Sequence, residues 1–319
     1  MGQPLIGILR RLLRRRESGI FLALLALMAG IALLQPNFAT ANNLYLVSRQ
    51  IALTAILALG VLFVILTSGI DLSLGSTVGL SGFMCGLAMA AGWPTVLAIG
   101  VGLLTGAGVG AINGAIVAFI GVTPFIVTLG MLGAARGAVL VLKHGDSIRE
   151  IPSSFIAAAN GNLFGLSVPV VVLLALAVFS QVVLQHTAFG RRVYAVGGNE
   201  EATAYSGINT RRVKFFAYVL CSLFSAVTGI LFVARFQSAQ SDAGKGMELD
   251  AIAATVIGGT SLMGGEGSVV GVLIGAVIMG VIRNGLVLLD VSSYWQELII
   301  GAIIVLAAIL DVVRSRRRG

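Results

Sequence analysis

The sequence predicts an all-α integral membrane protein, a polytopic bundle of about ten transmembrane helices with both termini in the cytoplasm. Three observations carry that prediction. Apolar runs of about 20 residues, the length a helix needs to cross a bilayer, recur along a chain that is 57% hydrophobic and only 11% charged. The runs are continuous, rich in Leu, Ile, Val, Ala and Gly, and lack the period-2 alternation of a transmembrane barrel. Most of the 21 Lys and Arg fall in three clusters abutting those runs, the pattern by which membrane proteins mark their cytoplasmic side.

The first cluster, Arg10, Arg11, Arg14, Arg15 and Arg16, belongs to a cytoplasmic tail over 1–17. A span follows at 18–34. The string Ala39-Thr40-Ala41 has the form of a leader-cleavage site, but more spans follow, so an uncleaved first helix is expected. Spans at 47–67, 74–92, 95–119, 123–142 and 168–186 make six crossings in all and return the chain to the cytoplasm at 187–214. Four more, at 215–235, 250–263, 268–289 and 295–313, bring Arg314, Arg316, Arg317 and Arg318 back inside on a tail over 314–319. Residues 18–313 thus read as one transmembrane domain. The run at 250–263 is short and rich in small residues, so eight spans is the alternative count. A half-span there is allowed at membrane depth only where it lines a cavity or is covered by protein. The loops 35–44, 143–166 and 236–249 are uncharged or nearly balanced, as expected on the opposite side. The 42 Gly suit close helix contact, because small residues let backbones approach.

Composition excludes several function classes. A net charge of +8 suggests nucleic acid, but its clustering beside spans offers no basic, aromatic-studded soluble face, so no nucleic-acid partner is expected. Cys85 and Cys221 both lie inside spans and read as small core residues; no metal-ligand spacing is present, and His144 and His186 stand alone at span ends. No Walker A string occurs: Gly244-Lys245 lacks the spaced upstream Gly. No Ser/His/Asp or Cys/His arrangement supports an enzyme. Ion-driven carriers keep ionisable groups deep in the bundle, whereas Asp71, Glu266 and Asp290 lie near span ends, and Arg283 is the one candidate well inside a span. A missing motor and scarce ion-coupling groups together predict a motor supplied by another chain.

The place for that motor is the charged, Gly-rich island GRRVYAVGGNEEATAYSGINTRRVK at 190–214. Asn199 can cap a short helix, Glu200 and Glu201 fall in its first turn where the dipole favours anions, and Gly207 can supply a left-handed stop. About two turns, roughly 10 Å long, are flanked by Arg191 and Arg192 before and by Arg211, Arg212 and Lys214 after. A second feature is an internal echo: LTSGIDLSLGS at 66–76 and GTSLMGGEGS at 259–268 both set Thr-Ser near a span end and Gly-Ser before the next. Asn113-Gly114 and Asn284-Gly285 lie downstream of each. Duplication followed by interrupted spans marks the pathway in many transporters.

Four strings in order resemble a known family. LTSGIDLSLGS (66–76), GRRVYAVGGNEEATAYSGIN (190–209), MELDAIAATVIGGTSLMGGEGSVVG (247–271) and NGLVLLDVSSYWQ (284–296) look like the ribose/xylose/galactose-type permeases of bacterial ABC importers. The resemblance implies a multi-pass inner-membrane subunit embedded in lipid and paired with a second copy as a homodimer. It also implies two cytoplasmic ATP-binding subunits, which use ATP and Mg while this chain holds no cofactor or metal, and a periplasmic sugar-binding protein. The coupling helix of such permeases carries an EAA-like signature, which maps onto Glu200, Glu201, Ala202 and Gly207. The match departs at Glu201, where the pattern read from Glu200 has Ala. Arg191 and Arg192 join Asn199 as flanking members of the coupling segment. A pentose such as ribose or xylose is the substrate this implies, and a nucleoside, an amino acid or an ATP-independent carrier are the alternatives. Polar side chains able to replace a sugar's hydration near the matching span ends are Thr67, Ser68, Asp71, Ser73, Asn113, Thr260, Ser261 and Asn284.

Overall fold

The computed structural model describes residues 16–316, so the outer parts of both predicted tails, with Arg10–Arg15 and Arg317–Arg318, lie outside the described residues. The order is α1 (Arg16–Leu34), α2 (Ala41–Leu66), α3 (Leu74–Ala90), α4 (Thr95–Ala115, continued by a π turn to Ile120), α5 (Pro124–Lys143) and α6 (Ser153–Asn160). A two-stranded hairpin, β1 (Asn162–Leu163) with β2 (Leu166–Ser167), leads to α7 (Val168–His186), α8 (Ala188–Gly198), α9 (Glu200–Tyr205) and α10 (Thr210–Phe236). Then come α11 (Met247–Ile257), α12 (Val269–Leu288) and α13 (Ser293–Arg316). Six of these helices, α2, α4, α5, α7, α10 and α12, are long and apolar enough to cross a membrane. The chain is an all-α membrane protein.

Each boundary has a local cause. Thr40 opens α2 by accepting a hydrogen bond from the Asn43 amide, and Pro124 and Pro169 sit in first turns, where a missing N–H costs nothing. The short run expected at 250–263 is the 11-residue α11, preceded by an irregular link over 237–246. Its brevity matches the half-span alternative.

Two antiparallel helices form the centre. Most of α2 and α10 is buried, with Phe63 against Phe224 at 6.2 Å between ring centroids. The end of α2 meets the start of α10, where the Tyr218 hydroxyl donates to the Ile70 carbonyl at 3.4 Å. At the opposite end, Asn160 accepts from Arg49 and donates to the Ala234 carbonyl at 2.6 Å. Around this pair the elements repeat in order. The first series, α2 to α5, is a long central helix, a shorter helix, then two more; α10 to α13 is the second. The series are interlocked: besides packing on each other, α2 packs on α11 and α12, while α10 packs on α3 and α4.

Small residues make the interlock tight. Gly102, Gly106, Gly110 and Gly114 are spaced by four and therefore lie on one face of α4; the last three press on α10, and Gly102 sits between α3 and Ile230 of α10. A Cβ on Gly106 would lie 2.6 Å from that of Ala226, and one on Gly110 2.7 Å from the Tyr218 carbonyl oxygen. The order of elements thus repeats, but the sequence echo does not fall on equivalent links. Residues 66–76 join α2 to α3, whereas 259–268 join α11 to α12, and these links are not equivalent in the repeat. They touch each other instead, through Gly265 N–H to the Leu66 carbonyl at 3.1 Å.

Candidate functional site

Three side-chain caps cut the 187–214 island into short helices. Thr187 accepts from the Gly190 amide at 3.1 Å and starts α8. Asn199 accepts from Ala202 N–H at 2.8 Å and starts α9, with Glu200 and Glu201 in the first turn. Asn209 accepts from Arg212 N–H at 3.0 Å and starts α10. Gly207 sits between the last two at φ +79°, the left-handed conformation that glycine adopts without penalty. Arg191, Arg192, Asn199, Glu200, Glu201, Ala202 and Gly207 are all exposed, so the predicted coupling residues share one accessible knob. Glu200 pairs with Lys214 on its flank.

Two features of the knob escaped the sequence reading. One is α8 itself, whose signal was the Thr187 cap and the spacing of Val193 and Val196, both buried. The other is Tyr205, an aromatic side chain left 85% exposed at the end of α9.

Beyond the packing of Val193 and Val196 in the core, side-chain hydrogen bonds and a close backbone approach join the knob to the α11–α12 loop and the end of α2. The Tyr194 hydroxyl donates to the Gly267 carbonyl at 2.9 Å, and burial pushes its phenol pKa up. Ser68 Oγ donates to the Met263 carbonyl at 2.7 Å and lies 3.3 Å from the Gly197 carbonyl. Gly197 has no room for a side chain: a Cβ there would overlap the Leu66 carbonyl oxygen and the Gly265 nitrogen.

The eight predicted pathway residues fall into separate places. Ser68, Thr260 and Ser261 belong to the junction just described; Thr67 donates to the Val64 carbonyl of its own helix at 2.8 Å. Asp71, Ser73 and Asn113 form a buried cluster. Asp71 Oδ1 accepts from the Ser73 amide at 2.8 Å and from its hydroxyl at 2.6 Å, while Asn113 Nδ2 donates to Ser73 Oγ at 2.9 Å. Asn284 is remote from both groups, in a reciprocal amide pair with Asn43 at 3.0 and 2.9 Å. Asn113 and Asn284 therefore have unlike surroundings.

Polar cavities occur elsewhere. One of about 250 Å³ is lined by Gln50 and Thr54 of α2, Phe232 and Arg235 of α10, Lys245 of the link, and Asp250 and Arg283 of α11 and α12. Arg283 Nη2 donates to Asp250 Oδ1 at 2.7 Å. A neighbouring hollow of about 360 Å³ shares Arg235 and adds Arg49, Asn160 and Gln237. The sequence offered one pointer to this region, Arg283 inside a span. Asp250, the first residue of the expected 250–263 run, lies in the first turn of α11.

Comparison with known proteins gives the same direction. Residues 43–308 match the family described as branched-chain amino acid transport system / permease component. The chain is 44% identical to the ribose import permease protein RbsC of Escherichia coli K12, over 92% of this chain and 93% of that one. It is 41% identical to RbsC of Bacillus subtilis 168 over 94% of both chains. Against the D-allose transport system permease protein AlsC of Escherichia coli K12 it is 36% identical, over 94% of this chain and 93% of the other. No solved structure matches. A family match over most of the chain, with these identities at nearly full coverage, means that it is no enzyme and belongs to this family of importer permeases, beside its monosaccharide members.

Proposed function

We propose that the chain is the membrane subunit of an ATP-driven importer that carries a pentose, ribose foremost, into the cytoplasm by alternating access. The observation that carries the substrate is the 44% identity to a ribose permease over nearly the full length of both chains. In this reading all ten apolar helices cross or enter the bilayer and both termini are cytoplasmic, so the 187–214 knob faces the cytoplasm. Two ATP-binding subunits grip the knob, a periplasmic sugar-binding protein delivers the pentose to the other face, and a second copy of this chain completes the core.

The mechanism follows from the joints. Closure of the ATP-binding subunits moves α9, with Asn199, Glu200, Glu201, Ala202 and Gly207, and α8 with Arg191 and Arg192. The Tyr194 and Gly197 contacts pass that motion to the loop between α11 and α12 and to the end of α2. ATP binding thus biases a two-state bundle through differential contacts.

Reconstitution tests it. The permease, ATP-binding subunits and binding protein are placed together in liposomes and offered radiolabelled ribose, xylose, allose and arabinose. ATP-dependent ribose uptake that needs the loaded binding protein is the expected result. Uptake by the permease alone, without ATP, would overturn the reading.

A further inference from the structure

We propose that the cavity bounded by Gln50, Thr54, Phe232, Arg235, Asp250 and Arg283 is where this permease holds the sugar in transit. The predicted polar positions at 67–73 and 260–261 are not that place. The inference rests on the importer reading and adds to it a location and a recognition chemistry.

Four observations converge on this cavity. First, it lies where the chain is interrupted: Lys245 belongs to the non-helical link between α10 and α11, and Asp250 to the first turn of the short α11. Unwound backbone and half-length helices at the interface of two repeats are where transporters place substrates. Second, it holds an Asp–Arg pair between helices of the bundle. Ionisable groups are expensive inside a membrane protein and mark function there by default. Third, Arg235 of α10 and Lys245 of the link line the same cavity as Arg283 of α12, so charged donors reach it from three elements. Fourth, the predicted side chains at 67–73 and Asn113 are engaged with the protein itself. Thr67 bonds to its own helix, Ser68 is tied to backbone carbonyls, and the Asp71, Ser73 and Asn113 side chains are fully buried among themselves.

The lining chemistry selects the class of occupant. Every hydroxyl of a sugar is both donor and acceptor, so its site must offer both. Asp250 accepts, Arg235, Lys245 and Arg283 donate, and Thr54 and Gln50 do either. Charge-assisted hydrogen bonds of this kind are the strong ones. Phe232 adds an apolar face for the C–H surface of a ring. A volume of about 250 Å³ lies just below the roughly 300–1,000 Å³ of drug-sized sites, which suits one monosaccharide ring and not an oligosaccharide. The occupant is therefore a polyhydroxylated ring of pentose size, and the importer reading makes it a neutral sugar.

The test uses the full-length chain with Thr54→Cys as reporter, and Gln50→Cys as a second reporter should the first fold poorly. Cys85 and Cys221 are fully buried, so the wild-type chain serves as the blank. A water-soluble maleimide is added with increasing D-ribose, or with D-ribonate as the anionic counterpart. Ribose should slow labelling, and in an Asp250→Asn background about tenfold more ribose should be needed, the loss expected for one hydrogen bond to a charged group. Labelling indifferent to ribose in both reporters, protection unchanged by Asp250→Asn, or protection by ribonate alone would overturn the proposal. ATP-dependent ribose uptake by the wild-type complex is measured alongside. Uptake without protection defeats the cavity alone. Protection without ATP-dependent uptake upholds the cavity and defeats the importer reading.

Discussion

The Tyr194 hydroxyl donates to the Gly267 carbonyl across 2.9 Å, joining the exposed 187–214 segment to the loop that precedes α12. The partners are 73 residues apart in sequence, so the bond ties a surface helix to the interior repeat. Tyr194→Phe removes the hydroxyl and keeps the ring. A typical hydrogen bond contributes about 0.5–1.5 kcal/mol net, so the variant should fold and assemble. More ATP should be consumed per sugar moved, by roughly two- to tenfold. Parallel uptake and ATPase measurements on the reconstituted complex give that ratio, and an unchanged value would show that the bond carries no motion.

Gly197 and Gly198 make a contrasting pair. A Cβ on Gly197 would run into backbone of Leu66 and Gly265, whereas one on Gly198 meets nothing within 4 Å. Gly197→Ala should therefore lower the thermal midpoint in detergent, by the roughly 1–3 kcal/mol typical of overpacking. Gly198→Ala should leave it where it was. Equal midpoints for the two variants would contradict the close approach.

The knob's partner contact is tested by Tyr205 and the two acids. Tyr205 is exposed, and exposed tyrosines become interface hot spots when a partner covers them. Tyr205→Ala should weaken co-purification of the ATP-binding subunits, by at least about 2 kcal/mol if it is such a hot spot. Glu200→Arg with Glu201→Arg should weaken it too, while membrane insertion stays normal. Loss of the Glu200–Lys214 pair itself contributes little, since exposed ion pairs are worth about 0–1 kcal/mol. Wild-type recovery of the subunits with both variants would remove the knob from the interface.

Gly207 tests the backbone of the same region. Its φ of +79° strains any side chain, most of all a β-branched one. Gly207→Val should destabilise the α9–α10 turn by about 1–2 kcal/mol, and Gly207→Asn by less, because Asn tolerates this conformation. Transport by the two variants, normalised to the amount in the membrane, ranks them. Val performing as well as Asn would mean that the turn relaxes freely.

Asp71 provides a test of buried polarity. Its carboxylate satisfies both the amide and the hydroxyl of Ser73 with no exposure to solvent. Asp71→Ala strands those donors, at about 1–3 kcal/mol for each buried group left unpaired. Asp71→Asn retains an acceptor oxygen and should cost less. Chemical or thermal unfolding of the purified permease orders the three proteins, and an Ala variant as stable as wild type would mean that Ser73 finds another partner.

What the sequence made legible divides along physical lines. Apolar runs and caps are local, so α1 to α5, α7, α10, α12 and α13 could be located from the length of those runs, and Asn199 and Gly207 from their residue types. The half-length α11 was legible as a short run of small residues. The 250 Å³ cavity was not, because Gln50, Arg235, Asp250 and Arg283 come from four elements and meet only after the repeats interlock. The polar residues at 67–73 and 260–261 drew attention by resembling each other. Thr67, Ser68 and Ser73 bind their own helix, the neighbouring link or one another, as hydroxyls inside a helical bundle most often do, while Thr260 Oγ1 and Asp71 Oδ2 are buried without a hydrogen-bond partner.

The crossed arrangement of the two series limits how such a molecule can work. Because α2 is gripped by α11 and α12 while α10 is gripped by α3 and α4, pulling one series from the other would unthread both central helices. One chain is therefore a clasp without a seam of its own. In the proposed alternating-access cycle, each chain would therefore move as one unit against the proposed second copy.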